Sequence, residues 1–101
     1  MQKDIKKIAN HYGDKQFLQM VEELSELTKA ICKYQRFSLP GYRNDIVDEI
    51  ADVEIMTSQL KFLLNAESDV EKIKKVKIQR QLERIKQECE NNATCNNSNA
   101  I

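Results

Sequence analysis

Apolar residues recur every three or four positions along most of this chain, and that spacing predicts one helix after another. A short first helix covers about residues 2–12. Gly13 follows it and suits a left-handed C-terminal cap, and Asp14 is placed to cap the next helix. The second helix, about 15–35, carries a stripe of Phe17, Val21, Leu24, Thr28, Ile31 and Tyr34, widened by Leu27. The segment Phe37-Ser38-Leu39-Pro40-Gly41-Tyr42-Arg43 is the only loop rich in helix breakers. Asn44 or Asp45 then caps a third helix reaching about Leu64, with Ile46, Ile50, Val53, Thr57, Leu60 and Leu64 as its stripe. Ser68-Asp69-Val70-Glu71 reads as a capping box for a fourth helix over about 69–89, lined less tidily by Val70, Ile73, Val76, Ile78, Leu82 and Ile85.

Short connections between the second, third and fourth helices favour antiparallel neighbours, so the expected fold is an all-α antiparallel helical bundle of about four helices. Residues 1–90 form the expected helical domain. The polar, asparagine-rich stretch 91–101 is expected to be a disordered tail. Two glycines and one proline in 101 residues agree with this reading. A chain this short has a thin core, and this much apolar helix face predicts burial by self-association.

Sixteen basic and sixteen acidic residues cancel, which argues against a nucleic-acid binder or a protein drawn to an acidic membrane. The charges are unevenly spread, with acids over 22–26 and 45–54 and mostly bases over 72–86. The polar start and the lack of a long apolar run predict a cytoplasmic protein without a signal peptide or membrane span. The three cysteines lack a disulfide framework or metal-ligand spacing and read as reduced thiols. Cys32 is assigned to packing, and a Cys89–Cys95 bridge is the minor alternative on oxidation.

Candidate chemistry lies in four carboxylates. Glu22-Glu23-Leu24-Ser25-Glu26 gives E-E-x-x-E, and Glu49-Ile50-Ala51-Asp52 gives E-x-x-D. Residues three apart lie on one helix face about a turn apart, so Glu23 pairs with Glu26 and Glu49 with Asp52. Both pairs border an apolar stripe, whereas Glu22 and Lys29 point toward solvent. Two such helices side by side bring four carboxylates together, and a divalent cation relieves their repulsion. Oxygen-only ligation suits Mg²⁺, with Mn²⁺ as the alternative, and points to phosphate chemistry. Either pair alone in so charged a helical chain usually marks a solvated face, but the two together, each beside a buried stripe, favour a metal site. Di-iron bundles need Glu-x-x-His pairs, which the single histidine, His11, does not complete; it suits a helix C-terminus instead. No calcium-loop pattern is present. Gln16 and Gln19 share the helix face of Glu23 and are candidates to touch a base or ribose. Tyr34, Phe37, Tyr42 and Arg43 fit either base stacking or helix-end packing.

With E-E-x-x-E, a gap of 22 residues and then E-x-x-D, the chain resembles the MazG-like branch of the all-α nucleoside triphosphate pyrophosphohydrolases. The likeness spans roughly residues 12–85 and centres on Gln16–Leu27, written QFLQMVEELSEL, and on Asp48–Val53, written DEIADV. The basic run Lys77-Ile78-Gln79-Arg80 also looks like that of small family members. The resemblance implies Mg²⁺-dependent hydrolysis of (d)NTP to (d)NMP and pyrophosphate by a homodimer or homotetramer of helical bundles. It implies Glu23, Glu26, Glu49 and Asp52 as metal ligands and catalytic groups, with Glu22 as an accessory carboxylate. It also implies Lys77 and Arg80 as triphosphate contacts, although a solvated basic face accounts for them equally well. A non-catalytic helical oligomer, sensing nucleotides or binding a partner, is the alternative function. Retention of all four ligand-type residues favours the enzyme.

Overall fold

The computed structural model describes residues 1–91, which form four helices and no strand. They are α1 (Gln2–Tyr12), α2 (Lys15–Phe37), α3 (Pro40–Leu63) and α4 (Glu67–Asn91). The chain divides into two compact units, Met1–Ala66 and the part from Glu67 onward. The expected tail and Cys95 lie outside the described residues, except that Asn91 is the last residue of α4. No described helix is long and apolar enough to cross a membrane.

The helix boundaries follow local chemistry, in places other than expected. Gly13 ends α1 at φ 59°, a backbone angle that costs glycine little, and its N–H donates to the Ala9 carbonyl. Asp14 precedes α2 but makes no side-chain cap bond. The expected loop over 37–43 shrinks to Ser38 and Leu39. Pro40 takes the first position of α3, where its missing N–H costs nothing and its fixed φ suits a helix. Ser38 absorbs the reversal in the left-handed region, its N–H on the Tyr34 carbonyl. Asn65, also left-handed, turns the chain after α3. Helix α4 begins at Glu67, so Ser68 lies inside it; Glu67 and Asp69 favour its N-terminal dipole.

In the first unit α2 packs along α3, and α1 packs mainly on α3. Helix α3 carries apolar residues all round, as a helix with neighbours on two sides should. The buried apolar side chains are Ile5 and Ala9 from α1, Ala30 from α2 and Met56 from α3. The inward side of α2 is Gln16, Met20, Glu23, Leu27 and Ala30. That line lies about a quarter-turn from the apolar stripe that sequence periodicity singles out. Phe17, Val21, Leu24 and Ile31 of that stripe are exposed, Val21 at 57%. On α3, Glu49, Asp52, Met56 and Gln59 line the inner side; of its expected stripe Ile46, Val53, Thr57 and Leu60 are half-buried, and Ile50 and Leu64 are exposed. Helix α2 therefore turns a mixed polar and apolar side inward and presents most of its apolar stripe.

A buried amide pair fixes how α2 meets α3. Gln16 Nε2 donates to Gln59 Oε1 at 2.7 Å, and Gln59 Nε2 approaches Met56 Sδ at 3.7 Å. Gln16 is 7% exposed and Gln59 2%. Helix α4, in the other unit, has no buried residue; a Lys74–Glu71 ion pair at 3.3 Å and a Gln79–Glu83 hydrogen bond at 3.3 Å lie along it. Replacing Gln16 by Leu strands the Gln59 carbonyl in an apolar setting. The substitution is expected to lower unfolding free energy in urea by about 1–3 kcal/mol. Gln16→Leu combined with Gln59→Leu recovers part of that loss, and a neutral single variant contradicts the assignment.

Candidate metal centre

The packing of α2 on α3 decides which carboxylates meet. Residues three apart on a helix differ by roughly 60° around its axis. Glu23 therefore lies on the inward line of α2, while Glu26 sits at its rim. On α3 the inward line runs between Glu49 and Asp52, so both reach the interface. One oxygen each from Glu23, Glu49 and Asp52 lies within 4.8 Å of the others, and all three residues are half-buried. Glu26 is exposed and ion-paired to Lys29 at 3.7 Å, outside this group. Glu22 faces solvent.

The geometry suits a hard cation. Metal–oxygen bonds of about 2.1 Å place adjacent octahedral ligands about 3 Å apart and opposite ones about 4.2 Å apart. The three oxygens lie within 4.8 Å of one another, so side-chain rotation would have to draw them together to reach one ion. Glu49 Oε2 is buried without a hydrogen-bond partner. A buried carboxylate oxygen without a donor is costly, and a cation is the group that would satisfy it. Gln19, half-buried, donates from Nε2 to Glu23 Oε1 at 3.2 Å, which orients one of the three carboxylates.

The same crowding acts on proton affinity. Burial pushes the Glu49 carboxyl above its ordinary value of 4.5, and the charges of Glu23 and Asp52 add to the shift. A side-chain hydrogen bond with Glu23 and the charge of Asp48 act in the same direction. The carboxyl thus holds a proton more tightly than usual, and a metal ion would displace it.

Other residues singled out in the sequence are not among the clustered carboxylates. Gln16 is in the core, its amide on Gln59 rather than open to a ligand. Lys77 and Arg80 are exposed on α4, in the other unit. Arg80 borders a shallow hollow with Lys75, Val76, Gln79 and Glu83. Phe37 and Tyr42 pack ring to ring across the α2–α3 turn, centroids 5.8 Å apart. Three groups near the carboxylates were given no site role in the sequence reading. Lys29, Lys33 and Asp48 line a cleft between α2 and α3 that shares Glu49 with the cluster. The repeat Asp45-x-x-Asp48 beside Glu49-x-x-Asp52 was the available signal for the last of these. No protein-family model matches the chain, and no curated protein or solved structure matches it significantly.

A raised carboxyl pKa has a definite sign in stability. The folded chain binds the Glu49 proton more tightly than the unfolded chain does, so without metal stability falls as pH rises from about 4.5 through the raised value. Glu49→Gln removes this term. Its melting temperature relative to wild type is expected to be higher at pH 7 than at pH 4, measured in EDTA. An equal difference at both pH values contradicts the shift.

Proposed function

We propose that this chain is a Mg²⁺-dependent nucleoside triphosphate pyrophosphohydrolase of the MazG-like kind, hydrolysing (d)NTP to (d)NMP and pyrophosphate in a house-cleaning role. The observation that carries the reading is the meeting of Glu23 from α2 with Glu49 and Asp52 from α3, with a buried Glu49 oxygen lacking any donor. Three of the four carboxylates that the resemblance implies as ligands are in that cluster. Mn²⁺ is the natural substitute for Mg²⁺ in such an oxygen site.

In this proposal Glu23, Glu49 and Asp52 hold the cation, which supplies positive charge to the phosphoryl oxygens when bound. Gln19 keeps Glu23 in place. Glu26, exposed and ion-paired to Lys29, is the carboxylate assigned here to accept a proton from the attacking water. Water adds to phosphorus, the bond linking the α- and β-phosphoryl groups breaks, and pyrophosphate departs with its electron pair. This route uses no cysteine or histidine nucleophile, and Cys32 is on the outer surface of α2.

The exposed apolar side of the α2–α3 pair supports a homodimer or homotetramer. Burial of a Val, Leu or Ile side chain contributes about 1.5–3 kcal/mol, and Phe17, Val21, Leu24, Ile31 and Ile50 are all available. Sedimentation equilibrium is expected to give a multiple of the monomer mass, reduced by Val21→Lys with Leu24→Lys. A monomeric wild type at about 0.1 mM contradicts self-association.

Pyrophosphate release from a panel of NTPs and dNTPs tests the activity. Release is expected with Mg²⁺ or Mn²⁺, to cease in EDTA, and to drop by at least about 10–100-fold in Glu49→Gln. Metal-dependent nucleotide binding without turnover would instead favour the nucleotide-sensing oligomer.

A further inference from the structure

Beside the three-carboxylate cluster, α2 and α3 enclose a cleft of about 140 Å³. Glu26, Lys29 and Lys33 line it from α2, and Asp45, Asp48 and Glu49 from α3. Glu49 belongs to both cleft and cluster, so the two are continuous along the helix pair. Because the helices are antiparallel, the line leads from Glu23 and Asp52 through Glu49 to the lysines. With a rise of about 1.5 Å per residue, Lys29 and Lys33 sit roughly 9 and 15 Å along α2 from Glu23, and their long side chains reach back part of that way.

Size and lining narrow the occupant. Pockets for whole drug-sized ligands run to about 300–1,000 Å³, so this cleft accommodates only a fragment of a nucleotide. Its walls are charged almost throughout, with no aromatic surface on which a base could stack. The fragment that suits ammonium groups is the phosphate end. Lys33 has no ion pair among the described residues, and Lys29 is held at the cleft by Glu26. Four carboxylates outnumber the two lysines, so bare polyphosphate is repelled and only its metal-bound form is admitted.

From this placement we infer that Lys29 and Lys33 bind the β- and γ-phosphoryl groups of the substrate and then the departing pyrophosphate. The inference rests on the metal-site reading given above. It assigns phosphate contact to the first unit itself, in place of Lys77 and Arg80 on α4. The nucleoside then points away from the α2–α3 turn. During hydrolysis the electron pair of the broken bond goes to pyrophosphate, whose added charge the two ammonium groups neutralise.

Calorimetric titration of inorganic pyrophosphate in saturating Mg²⁺, with Mn²⁺ alone titrated separately, tests this. The proteins are wild type, Lys29→Gln with Lys33→Gln, and Lys77→Gln with Arg80→Gln. All four side chains are exposed, and far-UV circular dichroism checks that the variants keep their helices. The α2 double variant is expected to weaken pyrophosphate binding by about tenfold or more while its Mn²⁺ affinity holds or improves. The α4 double variant is expected to bind pyrophosphate like wild type. Unchanged pyrophosphate affinity in the α2 variant, or a loss confined to the α4 variant, overturns the inference while leaving the metal site standing. Failure of wild type to bind Mn²⁺ would remove the metal-site reading and this inference with it.

Discussion

Mutual repulsion among three half-buried carboxylates is the constraint on which the rest of this structure turns. Glu23, Glu49 and Asp52 meet at the line where α2 packs on α3. Burial raises the proton affinity of Glu49, the neighbouring charges add to it, and its inner oxygen finds no donor. A helix pair selected only for stability would place leucine or alanine there, since unpaired buried charge is costly. The cost is recovered if a divalent cation binds, because that ion interacts with all three carboxylates at once. Gln19 orients Glu23 within α2, and the Gln16–Gln59 amide pair in the core ties α2 to α3 in the register that brings the cluster together.

The same packing gives the helix pair two unlike flanks. One carries Glu26, Lys29 and Lys33 opposite Asp45 and Asp48, a charged cleft continuous with the carboxylates. The other presents Phe17, Leu24, Ile31 and Ile50 to solvent. Rotating α2 about its axis to bury its apolar stripe would move Glu23 off the interface, so cluster and conventional core compete for one helix surface. With few buried apolar side chains in the described chain, the proposed self-association would recover hydrophobic stabilisation without giving up the cluster.

Much of this was legible in the sequence. Four helices and their approximate spans followed from apolar spacing, with Gly13 marking the first boundary. The start of α3 did not, because Pro40 and Gly41 read as breakers until Pro40 is placed at the first helical position, where it needs no N–H partner. Periodicity also pointed to the wrong buried side of α2, while most of the α3 stripe is half-buried. It assumes that the most apolar stripe faces the nearest neighbour, and here polar ligand-type residues hold that place. The pairing of Glu23 with Glu49 and Asp52 was readable because helical spacing put each on a shared face. The outward turn of Glu26 was not, since E-x-x-E spacing leaves roughly 60° between its members and only packing decides which one turns in. Lys29 read as a solvent-facing residue, which it is, and Lys33 was not singled out; their place on a cleft became visible only when α3 supplied the opposite wall.

The most direct test of the central claim is anomalous diffraction from crystals grown with Mn²⁺. The account predicts a manganese peak bonded at about 2.1 Å to oxygens of Glu23, Glu49 and Asp52 together, with other positions open to water or phosphate. A peak elsewhere, with the three carboxylates paired to protons or lysines instead, would contradict it.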